Sequence, residues 1–380
     1  MSLTSLRLLL VLGAAAAIVL GATWWHLSRS LHKVLRATTG SVVALVLVVG
    51  TVGAGVNRHF DLYRSWGDLL GPHSADLVQA GTQASLARAL ATRPQQAALP
   101  VRGSLLSVRI PGTVSQLNVV GSYVYLPKQY NTPAFAHRSF PVVEAFNGSP
   151  GAPADWITGV LADTSLDHAI GRGEVAPAIV VFPPTNIGLL RSLECTDTRD
   201  GLRDETFLTT DVRSWVLAHL RTTSTRWTTI GYSTGGYCAL DLAVRHPDLY
   251  YQAVSLDGYG SALSDGFARD LWRNAADRLA HSPNWLFRHE SPRPIDVYLL
   301  AGSDDPGARH DARLTWRALL AGGWGRPRDQ LVSEPDGRHS FDAWQRAFVP
   351  ALEWALPGPG GQALLAGRSA ASAPVGHSES

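Results

Sequence analysis

The pentapeptide Gly231-Tyr232-Ser233-Thr234-Gly235 constrains the fold of this 380-residue chain more than any other short segment. It has the form G-x-S-x-G and separates a β-rich run over residues 228–232 from a helical pattern over residues 237–245. Where a strand turns sharply into a helix, small residues must flank the serine, because bulkier ones would clash. The pattern therefore predicts a strand–turn–helix unit with Ser233 as a candidate nucleophile.

From residue 105 onward, short β-rich runs alternate with longer helical patterns, as in a parallel sheet covered by helices. Strands are expected over residues 121–127, 141–146, 178–182, 228–232, 253–256 and 295–300, and helices over 207–220, 237–245, 313–320 and 341–355. An amphipathic helix is also expected over residues 77–90. The fold class is therefore α/β, with a mostly parallel central sheet flanked by helices.

A serine is a poor nucleophile without a base, so a histidine is expected downstream of Ser233. His339 lies just before the last helical pattern and is the candidate base. The other downstream candidates are His281 and His289, in a segment rich in Pro, Arg and Trp, and His310, inside a predicted helix. We interpret these three as solvated or hydrogen-bonded surface groups.

The acid that orients the base is expected in the loop after the strand over residues 295–300, which gives the chain order Ser, acid, His. Both Asp304 and Asp305 lie there. Asp305 is preferred because Pro306 fixes the turn beside it, and Asp304 is assigned to cap the following helix. Asp257, which ends the preceding strand, is the reserve acid.

The oxyanion that forms during acyl transfer needs two backbone N–H donors. One is expected from Thr234, at the start of the helix after the nucleophile. The other is expected from the loop over residues 147–151, where Pro150 has no N–H and Ser149 is the candidate donor. The alternative is that this loop is an ordinary glycine turn.

Two uncharged segments, residues 8–25 and 37–57, are each close to the roughly 20 residues that span a membrane. Between them lie Arg29, Lys33 and Arg36, which the positive-inside rule places in the cytoplasm. The alternative is a cleaved signal peptide followed by a buried helix. The predicted organisation is a transmembrane hairpin over 1–57, a juxtamembrane linker over 58–103, a catalytic domain over 104–356 and a disordered tail over 357–380.

The composition argues against nucleic acid and a structural zinc ion as binding partners. The formal net charge of +2 leaves no electrostatic basis for binding nucleic acid. Two cysteines, Cys195 and Cys238, are too few for a four-ligand structural zinc site. They are candidates for one disulfide outside the cytoplasm; the alternative is that Cys238 is a small buried apolar residue and Cys195 an unrelated thiol.

Residues from about 105 to 354 resemble the esterase D and mycolyltransferase family of α/β-hydrolases. The elements that carry the resemblance are Gly148 with Pro150-Gly151, Trp156, Glu194-Cys195, Phe207-Leu208, the Gly-Tyr-Ser-Thr-Gly-Gly elbow and the run from Gly337 to Trp344. Relatives more often have His or Asp where this chain has Asn147, and mycolyltransferases have a basic sugar-binding residue where it has Pro150. These departures favour general esterase activity.

The resemblance implies an α/β-hydrolase fold, acyl-ester chemistry and an actinobacterial source. The expected activity is ester hydrolysis at the outer face of the cell membrane, with a small-molecule or lipid ester as substrate and no metal or organic cofactor. Two alternatives stay open: transfer of an acyl chain to a sugar or other alcohol, and a catalytically silent module that binds the cell envelope. The oligomeric state is not readable from the sequence.

Overall fold

The computed structural model of the chain describes residues 6–27, 33–60, 77–80, 83–91, 102–119, 121–185, 192–223, 225–263 and 271–359. The chain divides into two compact units, and the two N-terminal helices belong to a different unit from the sheet.

The N-terminal unit is a pair of packed helices, α1 (Leu6–Leu27) and α2 (Lys33–Phe60). Both segments predicted to cross a membrane are helical. Nevertheless, no helix among the described residues is both long enough and apolar enough to cross one. The prediction of a transmembrane hairpin is therefore not supported, and Arg29 of the predicted basic loop lies outside the described residues.

The second unit is built on a sheet that has nine strands in the described part of the chain. In chain order these are β1 (Leu77–Gln79), β2 (Ser104–Val108), β3 (Ser122–Leu126), β4 (Val142–Phe146), β5 (Ile179–Phe182), β6 (Trp227–Tyr232), β7 (Tyr250–Leu256), β8 (Asp296–Gly302) and β9 (Gln330–Glu334). Their spatial order is β1-β2-β3-β5-β4-β6-β7-β8-β9. Only β3 runs antiparallel to its neighbours, β2 and β5. The predicted α/β class with a mostly parallel sheet is confirmed.

Helices follow most of the strands. They are α3 (Gln83–Leu90), α4 (Asp155–Thr158), α5 (Ala162–Arg172), α6 (Asp204–Thr206), α7 (Arg213–His219), α8 (Thr234–Arg245), α9 (Ala275–Ala280), α10 (Pro283–His289), α11 (Pro306–Ala321) and α12 (Phe341–Ala355). A π-helical stretch, Phe207–Val212, joins α6 to α7. The carboxyl ends of the parallel strands β4, β6, β7 and β8 lie side by side, so the loops that follow these strands are close together.

The segment before residue 104 differs from its prediction. The helix expected over residues 77–90 is confirmed only as α3, because Leu77–Gln79 forms β1 and pairs in parallel with β2. The segment predicted as a linker therefore contributes a strand to the sheet. At the other end of the chain, residues 360–380 of the predicted disordered tail lie outside the described residues.

Candidate active site

Ser233 lies at the turn between β6 and α8, as the G-x-S-x-G pattern predicts. Its backbone has φ 56° and ψ −125°, a conformation that residues with side chains rarely adopt. The flanking glycines permit the turn, because a Cβ on Gly231 would lie 1.9 Å from the Gly235 carbonyl oxygen and one on Gly235 would lie 2.1 Å from the Phe146 oxygen. The serine is thus held in a strained turn at the start of a helix.

The loop after β4 packs against this turn. A Cβ on Gly148 would lie 3.2 Å from the Cβ of Ser233 and 2.9 Å from the ring of Tyr232. Ser149, the candidate oxyanion donor, is the next residue in this loop. Thr234, the other candidate, is the first residue of α8, where backbone N–H groups have no acceptor within the helix. The structure thus brings the two segments together, and the donor roles stay predictions.

His339, the candidate base, lies in the connection between β9 and α12. One of its ring nitrogens and one carboxylate oxygen from each of Asp257 and Asp305 lie within 4.8 Å of one another. Two of the three aspartates considered from the sequence, Asp257 and Asp305, therefore lie near the histidine, although Asp257 is 82 positions from it in the chain. A histidine beside a carboxylate has the arrangement of a base whose protonated form is stabilised by its neighbour.

Asp305 also caps α11. Its Oδ1 accepts a hydrogen bond from the N–H of Ala308 at 2.9 Å, and Pro306 follows it as the first helical residue. The assignment of this cap to Asp304 is therefore wrong. Asp304 lies one residue too early, because Pro306 begins the helix, and its side chain is exposed.

Asp257 is buried, with 3% of its surface exposed, and has φ 50°. Its Oδ1 accepts a hydrogen bond from the N–H of Gly302 at 2.7 Å, and its Oδ2 accepts one from Nε1 of Trp344 at 2.7 Å. The ring of Trp344 in turn stacks on Tyr232, with 4.4 Å between ring centroids. Sequence reasoning placed Trp344 in a motif but gave it no contact with an aspartate.

The group of Asp257, Asp305 and His339 has oxygen and nitrogen donors of the kind that bind a divalent cation. Three of its four carboxylate oxygens, however, accept N–H hydrogen bonds from Gly302, Trp344 and Ala308. This pattern fits hydrogen-bonded acids next to a base better than a cation site.

Cys195 and Cys238 form a disulfide, with 5.6 Å between their Cα atoms, so the predicted pairing is confirmed. The bond ties the segment after β5 to the second turn of α8. Next to it, Glu194 is fully buried and its Oε1 accepts a hydrogen bond from the Tyr259 hydroxyl at 2.7 Å. Glu194 was identified from the sequence only as part of a family motif.

His281 is not the surface group that its sequence context indicated, because it is 8% exposed. Its Nδ1 lies 2.8 Å from the Asp277 carbonyl oxygen and its Nε2 lies 3.6 Å from Glu205. Burial lowers the pKa of His281, but the nearby Glu205 carboxylate and the charge of Asp241 outweigh it, so the pKa is raised. His289 and His310 are exposed, as predicted.

Comparisons with known proteins find similar sequences and similar folds. The model of the Esterase family matches residues 118–355. An uncharacterized protein of Corynebacterium glutamicum is 24% identical over 269 residues, which are 66% of this chain and 61% of that protein. The chain thus spans about three fifths of that relative's length. The MPT51/MPB51 antigen of Mycobacterium tuberculosis is 29% identical over 121 residues, 31% of this chain and 36% of the antigen.

Among solved structures, an S-formylglutathione hydrolase from Agrobacterium tumefaciens has a similar fold, with a TM-score of 0.56 and 15% identity. The similarity covers 70% of this chain and 98% of that one.

Proposed function

Because this chain belongs to the Esterase family, we propose that it is a serine-dependent carboxylic ester hydrolase that works through an acyl-enzyme. The observation that carries the proposal is the backbone conformation of Ser233. This residue has a positive φ at the turn between β6 and α8, and the Gly148 loop packs against that turn. Ser233 is half-buried, and a serine in a strained turn at that place in this fold has the backbone conformation that a nucleophile requires.

In the proposed reaction, Oγ of Ser233 attacks the ester carbonyl carbon while His339 takes the hydroxyl proton. The backbone N–H groups of Ser149 and Thr234 bind the oxyanion that forms. The C–O bond to the alcohol then breaks, and His339 gives the proton to the leaving oxygen. Water then attacks the carbonyl carbon of the acyl-enzyme while His339 takes a proton from it. The bond to Oγ of Ser233 breaks, His339 returns the proton to Oγ, and the carboxylic acid is released. Asp305 orients His339 and stabilises its protonated form throughout.

A fluorophosphonate probe tests this assignment, because it reacts covalently with activated serines. We expect one adduct per chain, on the tryptic peptide that contains Ser233, and its loss when a substrate ester competes. An unlabelled protein, or an adduct on another residue, would refute the proposed nucleophile. The unlabelled result would also favour the alternative of a silent envelope-binding module.

Acyl transfer is the second candidate, because an alcohol can resolve the same acyl-enzyme in place of water. Its support is the resemblance of the elbow and of the run from His339 to Trp344 to mycolyltransferases. The two activities separate when the acyl-enzyme is allowed to partition between water and a disaccharide. A new sugar ester in the products supports transfer, and free acid alone supports hydrolysis.

We further propose that the catalytic unit acts outside the cytoplasm, at a lipid surface. The Cys195–Cys238 disulfide supports an oxidising compartment, since such bonds rarely persist in the cytosol. The helices α1 and α2 support lipid association, because twelve large aliphatic side chains on them are exposed, among them Val46 and Val49.

Flotation of the full chain with liposomes tests the lipid contact. The wild-type chain should float, and the double variant Val46→Glu/Val49→Glu should float less, because each glutamate places a charge on the apolar surface. Val114→Glu, at an exposed valine of the catalytic unit, is the control and should float like the wild type. Equal flotation of all three would refute the role of α2.

A further inference from the structure

The indole of Trp344 contacts two elements of the candidate active site. It is 3% exposed, and its ring lies 21° from the plane of the Tyr232 ring, with 4.4 Å between centroids. Tyr232 immediately precedes Ser233. On the polar side, Nε1–H donates to Oδ2 of Asp257 at 2.7 Å. Trp344 belongs to the first turn of α12, which begins two residues after His339.

The other carboxylate oxygen of Asp257, Oδ1, contacts the end of β8, which leads into the loop of Asp305. Oδ1 accepts the N–H of Gly302 at 2.7 Å, and the Gly302 carbonyl oxygen in turn accepts the N–H of Asp305 at 3.1 Å. One carboxylate therefore connects the end of β8 to α12. The hydrogen bond to Trp344 joins residues 87 positions apart in the chain, so it fixes two elements that no local contact relates.

We propose that Asp257 and Trp344 form a brace, which we define as a pair of positioning residues that fixes the relative positions of Ser233, Asp305 and His339. This inference rests on the proposed hydrolase function. The ring of Trp344 supports the residue before the nucleophile, its indole N–H fixes the helix after the base, and Asp257 fixes the loop of the acid. Groups that orient catalytic side chains in this way affect turnover more than substrate binding.

Asp257 is placed as a positioning residue, and Asp305 as the acid, by their hydrogen bonds. Both carboxylate oxygens of Asp257 accept N–H groups of the protein, whereas Asp305 uses Oδ1 for the cap of α11. The charge of Asp257 still acts on the base, because one of its oxygens lies within 4.8 Å of a His339 ring nitrogen. It therefore adds to the stabilisation of the imidazolium that forms during the reaction.

Two variants break the brace while retaining most of the packing. Asp257→Asn preserves size and tolerates the positive φ, but it removes the charge and leaves only one acceptor oxygen for two N–H donors. Trp344→Phe retains a ring against Tyr232 and removes the indole donor. Asp304→Asn is the matched control, because this exposed aspartate lies outside the cluster.

Steady-state hydrolysis of a p-nitrophenyl ester by the full chain is the first measurement. We expect kcat to fall about 10- to 100-fold in each brace variant, with KM within about twofold of the wild type. The double variant should be no slower than the slower single variant, because both changes break one interaction. Asp304→Asn should leave both constants unchanged.

Two kinetic results would overturn the brace. One is wild-type kcat in both single variants. The other is an Asp257→Asn protein as inactive as Ser233→Ala together with an active Asp305→Asn protein, because Asp257 would then be the triad acid itself.

A measurement independent of turnover separates failure of the brace from failure of the hydrolase proposal. In a ¹⁵N correlation spectrum, the Trp344 indole resonance is the one that Trp344→Phe removes. Asp257→Asn should move this resonance upfield and speed the exchange of its proton with solvent. An unchanged resonance would overturn the brace in an active enzyme or an inactive one, whereas a wild-type protein without turnover would overturn only the proposed function.

Discussion

Asp305 serves two neighbours with one side chain. Its Oδ1 caps α11 through Ala308, and its carboxylate lies near the ring of His339. These two roles can be separated experimentally, because asparagine caps a helix about as well as aspartate but carries no charge.

For Asp305→Asn we therefore expect a large loss of turnover with little loss of stability. The value of kcat should fall by about 10⁴-fold, as when a triad acid becomes an amide. The free energy of unfolding in urea should stay within about 0.5 kcal/mol of the wild type, because the cap to Ala308 is retained. A mild kinetic effect here, beside a severe one in Asp257→Asn, would move the acid to Asp257.

At this scale the sequence predicts residues whose roles follow local rules. The glycines around Ser233 and the position of His339 before α12 are of this kind. The sequence prediction places the helix cap at Asp304, one residue too early, because α11 begins at Pro306 and the residue directly before it, Asp305, is the cap. The contact between Asp257 and Trp344 was not predictable, because only the assembled sheet brings residues so far apart in the chain together.

Among the structural elements, the loop after β4 depends most on a single residue. Gly148 allows this loop to approach Ser233 as closely as it does, since a Cβ there would meet the side chains of Tyr232 and Ser233. The candidate donor Ser149 follows directly, so any displacement of Gly148 moves that donor as well.

Gly148→Ala should accordingly lower kcat by about 100-fold, the effect expected when a reacting group is displaced by about 1 Å. KM should change little. The matched control is Gly171→Ala in α5, where a Cβ would lie 3.5 Å from the Nζ of Lys128 and meet no part of the candidate site. Equal kcat values for the two variants would show that the β4 loop does not bear on the reaction.

The disulfide links two elements, the segment after β5 and α8. In the chain-entropy model, closing a separation of 43 residues stabilises the fold by about 4 kcal/mol. Cys195→Ser should lower the free energy of urea unfolding by about that amount, and a reductant should then have no further effect. Two free thiols in the denatured but unreduced wild-type protein would contradict the bond.

The strands at the centre of the sheet were predictable because they are rich in apolar and β-branched residues, as in β5 (Ile179–Phe182) and β6 (Trp227–Tyr232). The edge strands were not. β9 is mostly exposed or half-buried and lacks an apolar pattern, so its strand conformation comes from pairing with β8. β1 is only three residues long, and only its pairing with β2 distinguishes it from the start of the predicted helix.

At the scale of the whole molecule, the pH dependence of stability involves Glu144, an acidic residue of β4 that is buried at the centre of the sheet. Burial raises its pKa to about 8, although the hydrogen bond from the Tyr250 hydroxyl and the charge of Arg213 act in the opposite direction. The folded protein therefore holds a proton on Glu144 over a pH range in which the unfolded chain has lost it.

Stability should consequently fall as the pH rises from about 4.5 to about 8, because folding must either retain that proton or bury a charge. Glu144→Gln should show a smaller decline over this range, measured as the midpoint of urea unfolding at several pH values. Glu334→Gln, at the edge strand β9, should decline like the wild type. An equal slope in the Glu144 variant would contradict the buried proton.

The Esterase family match begins at residue 118, so the sheet strands β1 and β2 and the N-terminal helical unit lie outside it. The candidate catalytic residues, Ser233 among them, all lie in the part of the chain from β3 to α12.

The most direct test of Ser233 as the nucleophile is hydrolysis of a p-nitrophenyl ester by the full chain and by its Ser233→Ala variant. Ser165→Ala, in α5, is the control. We expect Ser233→Ala to lose at least about three orders of magnitude in kcat, because the loss of a triad nucleophile is that severe. Ser165→Ala should retain wild-type activity. A folded Ser233→Ala protein that keeps most of its activity would contradict the assignment of the nucleophile.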